Sequence, residues 1–167
     1  MNEIAEQIGL LLEQKASVHP DIIRKKICEF EEFLNQQEDA IHGSVYGNYG
    51  GEVEHEFGDG LYIRKITMLK GMLLTSKIHK YRHPYFVQSG ECSVINPEKV
   101  IRIKAPYWGM TEPLTKRILY IHEETIWITV HATKRKDLEK IEEQIILPNF
   151  DNVLSYDMEE ILCLSGQ

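Results

Sequence analysis

Residues 71–90, GMLLTSKIHKYRHPYFVQSG, decide the fold because two histidines stand close together within them. At helical spacing, His79 and His83 would share one face of a helix, which is a common metal-binding arrangement. Pro84 excludes a helix here, because the residue before a proline is pushed out of the helical region. The triplet Tyr85-Phe86-Val87 favours a strand. The segment therefore predicts a strand, a tight turn and a second strand.

Further strand signals lie on both sides of this segment. Glycine, asparagine and proline residues punctuate β-favouring runs, as is typical of turns. The predicted strands cover 61–74, 85–87, 93–95, 100–103, 105–109 (as an edge), 117–121 and 126–131. The predicted turns include Gly58-Asp59-Gly60, Ser89-Gly90-Glu91, 96–99 and His122-Glu123-Glu124-Thr125. Short strands at this regular spacing predict an antiparallel sandwich or barrel.

The spacing of glycines and histidines in 71–90 resembles the first motif of the cupin superfamily. That motif places two histidines and a glutamate between two glycines. Gly71, Lys77, His79, His83 and Gly90 fall on its positions, with Lys77 replacing the first histidine and His83 replacing the glutamate.

The second cupin motif is resembled by residues 112–117, EPLTKR, in which Arg117 takes the place of a histidine and Leu114 that of a glycine. The resemblance implies a mainly β fold, a cupin-type (RmlC-like) antiparallel jelly-roll barrel, and a homodimer or larger homo-oligomer. It covers roughly residues 60–133 and extends to small cupin-like proteins of bacteriophages and prophages.

In the cupin family, the four motif positions hold a divalent metal inside the barrel. Here His79 and His83 keep donors for Zn, Fe, Mn or Ni through neutral imidazole. His131 is the best candidate for a recruited third ligand, with Glu91, Glu123 and His122 behind it. In a strand, His131 would share a face with Thr129 and Trp127, but the sequence does not indicate whether that face is interior.

Two of the replaced positions indicate a different ligand. Lys77 and Arg117 repel a cation, and together with His79 and His83 they would form a cationic pocket for an anion such as a carboxylate or a phosphorylated metabolite. Histidines that only form hydrogen bonds within a polar interior are the third interpretation.

Helical patterns flank the predicted barrel. We divide the chain into an N-terminal helical segment (1–41), a Gly-rich connecting loop (42–60), the cupin-like barrel (61–133) and C-terminal helices (134–167). The N-terminal segment reads as a hairpin of helices 3–14 and 20–37, and a last helix is predicted from Ser155. His42, Tyr46, Tyr49 and His55 in the loop could line the mouth of a ligand site, but the composition of the loop favours a solvated linker.

Composition narrows the class of protein. The chain has 167 residues and a net charge of −7, so that non-specific binding to nucleic acid is not expected. No apolar run approaches the ~20 residues of a membrane helix. Three widely spaced cysteines argue against a disulfide framework and for the cytoplasm, which would be the host cytoplasm for a phage protein, and Cys92 reads as a core residue.

Two functions follow from these patterns. The first is a degenerate cupin that binds a small, possibly anionic ligand or assists assembly without catalysis. The second is a metal-dependent cupin enzyme of dioxygenase, isomerase or lyase type that uses His79, His83 and a recruited third ligand. No GxSxG, HExxH or phosphate-loop motif adds a further class of enzyme.

Overall fold

The computed structural model describes residues 20–38, 40, 51–97 and 99–148. Helices α1 and α2 cover Pro20–Asn35 and Leu138–Ile145. The strands are β1 (Val53–Gly58), β2 (Leu61–Met68), β3 (Leu73–Thr75), β4 (Ile78–His79), β5 (His83–Ile95), β6 (Val100–Lys104), β7 (Tyr107–Thr111), β8 (Ile118–Ala132) and β9 (Ile146–Leu147). No helix in these residues is long and apolar enough to cross a membrane.

Two long strands, β5 and β8, form the centre of one antiparallel sheet with the order β1-β2-β8-β5-β6. Each changes neighbours along its length. The first part of β8 pairs with β3 and the rest with β2, whereas β5 pairs first with β7 and then with β6. Strands β4 and β9 form a separate small sheet. The prediction of a mainly β, antiparallel fold of the jelly-roll type is confirmed.

Alternation of buried and exposed residues explains the central strands. In β5, the side chains of His83, Tyr85 and Val87 are buried, as their shared face predicts, while Phe86 between them is exposed. The main core is formed by buried side chains of β2, β5, β6 and β8, namely Met68, Tyr85, Val87, Cys92, Val94, Ile103, Leu119, Ile121 and Trp127. The prediction of Cys92 as a core residue is therefore confirmed.

Both described helices pack through apolar faces. Helix α1 packs Ile23, Ile27 and Phe30 against Ile118 at the start of β8. Its Glu31 Oε1 also accepts a hydrogen bond from the buried Lys116 Nζ at 2.8 Å. Helix α2 begins after Asp137, whose side chain accepts from Lys140 N, and it buries Ile141 and Ile145 against Tyr62 of β2.

Two predicted turns are wrong, because both lie inside long strands. Ser89-Gly90-Glu91 belongs to β5, where the pairing with β8 shifts register between Val87 and Cys92. Gly90 has φ +86°, which suits a bulge as well as a turn. His122-Glu123-Glu124-Thr125 likewise continues β8, with Glu123 and Glu124 exposed.

The other boundaries differ less from the predictions. Strand β1 lies within the predicted connecting loop and forms a hairpin with β2 through the expected turn at Asp59 and Gly60. Helix α1 ends at Asn35, two residues earlier than predicted. The predicted helices at 3–14 and from Ser155 lie outside the described residues.

Candidate metal centre

Three histidines from three strands meet at one end of the sheet. His79 ends β4, His83 begins β5, and His131 lies one residue before the end of β8. The ring centroids are 4.3 Å apart for His79 and His83, 4.3 Å for His83 and His131, and 5.2 Å for His79 and His131. One ring nitrogen from each residue lies within 4.8 Å of the other two.

Local sequence explains why the three side chains converge. Pro84 keeps His83 extended, and a short turn over residues 80–82 folds β4 back beside the start of β5. Tyr85 pairs with Thr129 across β5 and β8, so that two residues further along these antiparallel strands His83 and His131 come opposite each other. His131, Thr129 and Trp127 are all buried, which settles the face of β8 that the sequence left open.

Burial keeps the three imidazoles uncharged. Loss of solvent lowers the pKa of His83 to about 4 and that of His131 to about 3, and it lowers the pKa of His79 well below its ordinary value. The neighbouring histidines depress the pKa of His79 further, and Arg117 depresses those of His79 and His83. The hydrogen bond between His83 and the Tyr81 carbonyl raises the pKa of His83, but this effect is smaller than that of burial. Neutral imidazole is the form that binds metals.

Hydrogen bonding leaves ring nitrogens available to a ligand. His83 Nδ1 lies 3.1 Å from the Tyr81 carbonyl oxygen and must donate to it, so its Nε2 carries the lone pair. His131 Nε2 lies 3.2 Å from Thr129 Oγ1. The Nδ1 of His79 is buried and finds no hydrogen-bond partner among the described residues. A buried nitrogen without a partner is costly, and a bound metal would satisfy it.

The donor set fits a first-row divalent metal. Zinc binds imidazole nitrogen at roughly 2.0–2.1 Å, and catalytic zinc sites have three protein ligands and keep one position open. Donors that share such an ion lie closer to one another than the 4.8 Å found here, so the three rings would have to approach one another to bind it. The three histidines would therefore hold the ion and leave a position for another molecule.

A cavity of about 80 Å³ adjoins His79 and His83. One wall is apolar and is formed by Ile66, Met68, Leu74, Leu119 and Trp127. The polar part of the lining consists of Arg64, Thr75, Ser76, Lys77, Thr111, Arg117 and Thr129 besides the two histidines. A space of this size holds several water molecules or a small organic molecule.

The two predicted cationic residues differ in their surroundings. Arg117 is buried, and its Nη2 donates to Thr111 Oγ1 at 2.7 Å. Lys77 reaches the same cavity, but its ammonium group forms an ion pair with Glu142 of helix α2. The structure brings both to the histidines, as predicted, yet Lys77 already has an anionic partner.

The other candidate ligands lie elsewhere or have different partners. Glu91 forms an ion pair with Arg102, and His122 Nε2 lies 2.8 Å from Ser93 Oγ. Neither they nor Glu123 belong to the three-histidine cluster. His55 Nδ1 bonds to Tyr62 Oη at 2.8 Å. His42, Tyr46 and Tyr49 lie outside the described residues.

Arg64 and Thr111 line the cavity but are absent from the sequence prediction. Tyr62, Arg64 and Ile66 stand at every second position of β2, and Arg64 pairs with Thr129 of β8. That alternation was a usable signal, because it places Arg64 on the same face as the buried Tyr62. Thr111 gave no signal, since its role depends on contact with Arg117.

Comparison with known proteins adds structural neighbours only. No family model and no curated protein matches the chain. KdgF from a Halomonas species has 13% identity and a TM-score of 0.47, over 55% of this chain and 87% of that one. An RmlC-like cupin family protein from Methanocaldococcus jannaschii has 13% identity and a TM-score of 0.43, over 64% of this chain and 91% of that one. A predicted oxalate decarboxylase from Thermotoga maritima has 14% identity and a TM-score of 0.43, over 50% of this chain and 80% of that one.

The strand order carries the assignment of the fold, because these TM-scores lie below 0.5. Two long bulged strands pair along their length and exchange neighbours on either side. The fold is a cupin-type jelly roll. At 13–14% identity, no residue role is transferred from the neighbours, and the resemblance to bacteriophage proteins stays a prediction.

Proposed function

We propose that this cupin-type protein binds a first-row divalent metal ion through His79, His83 and His131 and takes up a small molecule in the adjoining cavity. The observation that carries the proposal is the convergence of three uncharged imidazoles, of which His83 and His131 are buried and His79 is half-buried, with donor atoms that lie within 4.8 Å of one another. The unpartnered Nδ1 of His79 supports it further.

An enzyme fits this arrangement better than a structural metal site does. Structural zinc sites almost always use four protein ligands, whereas three ligands beside a cavity leave room for a reactant. A bound metal would supply Lewis-acid chemistry, polarising a bound molecule or a water. The chain itself would supply the three ligands, an apolar wall that excludes water and the fixed positive charge of Arg117.

Elemental analysis of the purified, untagged protein tests the metal centre. We expect one transition-metal ion per chain in the parent and none in the His79→Ala, His83→Ala double variant or in His131→Ala. His122→Ala is the matched control, because His122 bonds to Ser93 outside the cluster. This control should keep the metal.

Circular dichroism must show that each variant is folded, so that loss of metal reports the ligands and not the fold. A parent that stays free of metal after supplementation with Zn²⁺, Fe²⁺, Mn²⁺ and Ni²⁺ in turn would refute the proposal. So would a metal content that is equal in the parent and in the double variant.

A metal-free module that binds an anion is the second candidate function. The buried guanidinium of Arg117 favours it, because an anion bound there would satisfy the cation without help from a metal. Anion binding that is unchanged by a chelator, in protein shown to contain no metal, would favour this function over the first.

A further inference from the structure

Arg117 is a buried cation that lines the cavity beside the histidines. The residue is 8% exposed, and its guanidinium Nη2 donates a hydrogen bond to Thr111 Oγ1 at 2.7 Å. A guanidinium has five N–H donors, and the bond to Thr111 uses one of them. Because Arg117 lines the cavity, its guanidinium can reach an anion bound there.

No acidic side chain satisfies this charge within the part of the chain that the structure describes. The ion pairs found there join other residues, and the described residues that line the cavity include no aspartate or glutamate. A buried charge without an opposite charge is unfavourable. A bound anion would supply an opposite charge.

Rigid neighbours hold the guanidinium in place. Its Cζ lies 5.0 Å from the centroid of the Tyr85 ring, which is within cation–π range. Tyr85 in turn stacks on Trp127, with ring centroids 4.5 Å apart and an interplanar angle of 7°. The backbone N–H of Arg117 donates to Ser76 Oγ at 3.0 Å. A site whose donors are fixed in advance loses little entropy when it binds.

The rest of the cavity selects the kind of anion. Its apolar wall suits a hydrocarbon part, which inorganic phosphate lacks. Its volume of about 80 Å³ is roughly half that of an engineered ~150 Å³ cavity that accommodates benzene. A carboxylate of about two or three carbons matches both features, and its planar oxygens match the guanidinium fork.

We propose that Arg117 binds the carboxylate of a small aliphatic acid in this cavity, with the hydrocarbon part of the acid against the wall formed by Ile66, Met68, Leu74, Leu119 and Trp127. The proposal rests on the proposed function, because it names the class of molecule that the cavity beside the metal centre takes. The carboxylate lies on the side of the cavity where Arg117 and the histidines meet.

Isothermal titration calorimetry of the metal-loaded parent with sodium propionate tests the ligand class. Propionamide has nearly the same shape without the charge, and inorganic phosphate has charge without the hydrocarbon part. We expect saturable binding of propionate and none of propionamide. Equal binding of propionate and propionamide, tighter binding of phosphate, or no binding of propionate each overturns the proposal.

Substitution of Arg117 tests the residue. Arg117→Gln should weaken propionate binding by about 10- to 100-fold, the usual effect of losing a hydrogen bond to a charged group. Arg102→Gln is the matched control, because Arg102 is an exposed arginine that pairs with Glu91. It should bind propionate as the parent does, and unchanged binding by a folded Arg117→Gln protein overturns the assignment.

Metal analysis of the same samples separates this proposal from the proposed function. Metal without propionate binding refutes the carboxylate site and leaves the metal centre standing. Propionate binding that depends on Arg117, in protein that stays free of metal after supplementation, supports the carboxylate site and refutes the metal centre. If Arg117→Gln does not fold, the comparison of propionate with propionamide in the parent decides.

Discussion

Acid should destabilise the metal-free protein between pH 7 and pH 5, because the folded chain holds three histidines uncharged. Burial lowers the pKa of His83 to about 4, that of His131 to about 3 and that of His79 well below its ordinary value. In the unfolded chain each titrates near ~6.5. Below that pH the unfolded state binds more protons, so the free energy of unfolding is greatest above it and falls as the pH decreases towards the folded-state values.

The size of the effect follows from these pKa values. At pH 5 nearly every histidine of the unfolded chain is protonated, whereas His83 and His131 in the folded protein are almost entirely neutral. Each then lowers the free energy of unfolding by about 2 kcal/mol between pH 7 and pH 5, and the two together by about 4 kcal/mol. His79 lowers the free energy of unfolding in the same direction, because its pKa is also below the ordinary value. Because whole domains are stable by only ~5–15 kcal/mol, the loss is easy to measure.

Urea denaturation at pH 7, 6 and 5, with a chelator present throughout, measures this loss. The interval ends above the range in which Glu29 and Glu91 protonate, since ion pairs with Lys26 and Arg102 lower the pKa values of these carboxyl groups. The variant His131→Leu removes one buried imidazole and should therefore reduce the pH dependence by about 2 kcal/mol.

Two results would refute the reasoning. The first is a free energy of unfolding of the metal-free parent that is the same at pH 7 and pH 5. The second is a pH dependence that is equal in the parent and in His131→Leu. The first would mean that the three histidines are charged or solvated in the folded protein, and the second would mean this of His131.

Three further predictions concern the bulge, the core cysteine and the metal. Gly90→Ala places a Cβ 2.1 Å from a β8 carbonyl oxygen and should lower the free energy of unfolding measured in urea. Gly71 has the same φ of +86° but lies in open space, so Gly71→Ala should lower that free energy by only about 1 kcal/mol. Equal losses in the two variants would contradict the bulge geometry. Burial raises the pKa of the Cys92 thiol to about 11. In a variant with Cys28 and Cys163 replaced by alanine, the folded protein should therefore resist iodoacetamide at pH 8 and should react after unfolding. Rapid alkylation of the folded chain would contradict this prediction. Zinc at 100 times its dissociation constant should raise the free energy of unfolding by about 2.7 kcal/mol over the chelated protein, and a melting temperature unaffected by zinc or chelator would argue against the site.

Local chemistry made much of the fold predictable. Pro84 forces His83 into an extended conformation, and alternation then places Tyr85 and Val87 on the buried face with it. The same local chemistry misled at Ser89-Gly90-Glu91, because a glycine with positive φ serves a bulge inside a strand as well as a turn between strands. Whether β5 continues depends on β8, its partner across the sheet, and short segments do not carry that information.

The candidate site was predictable in its members and not in its arrangement. His79 and His83 follow from spacing, but His131 enters the cluster because the pairing of Tyr85 with Thr129 brings the start of β5 opposite the end of β8. The ion pair of Lys77 with Glu142 joins residues 65 positions apart, so no local pattern could show that Lys77 has an anionic partner. Long-range contacts decided which cation remains for a ligand.

The buried Arg117, which lines the same cavity as His79 and His83, links the proposed anion to the proposed metal. Three uncharged imidazoles add no charge, so a metal ion beside a buried guanidinium would meet uncompensated repulsion, which is strong where water is excluded. A carboxylate between the two offsets both positive charges at once. On this reasoning, the proposed acid would supply a negative charge that the described residues lining the cavity do not offer.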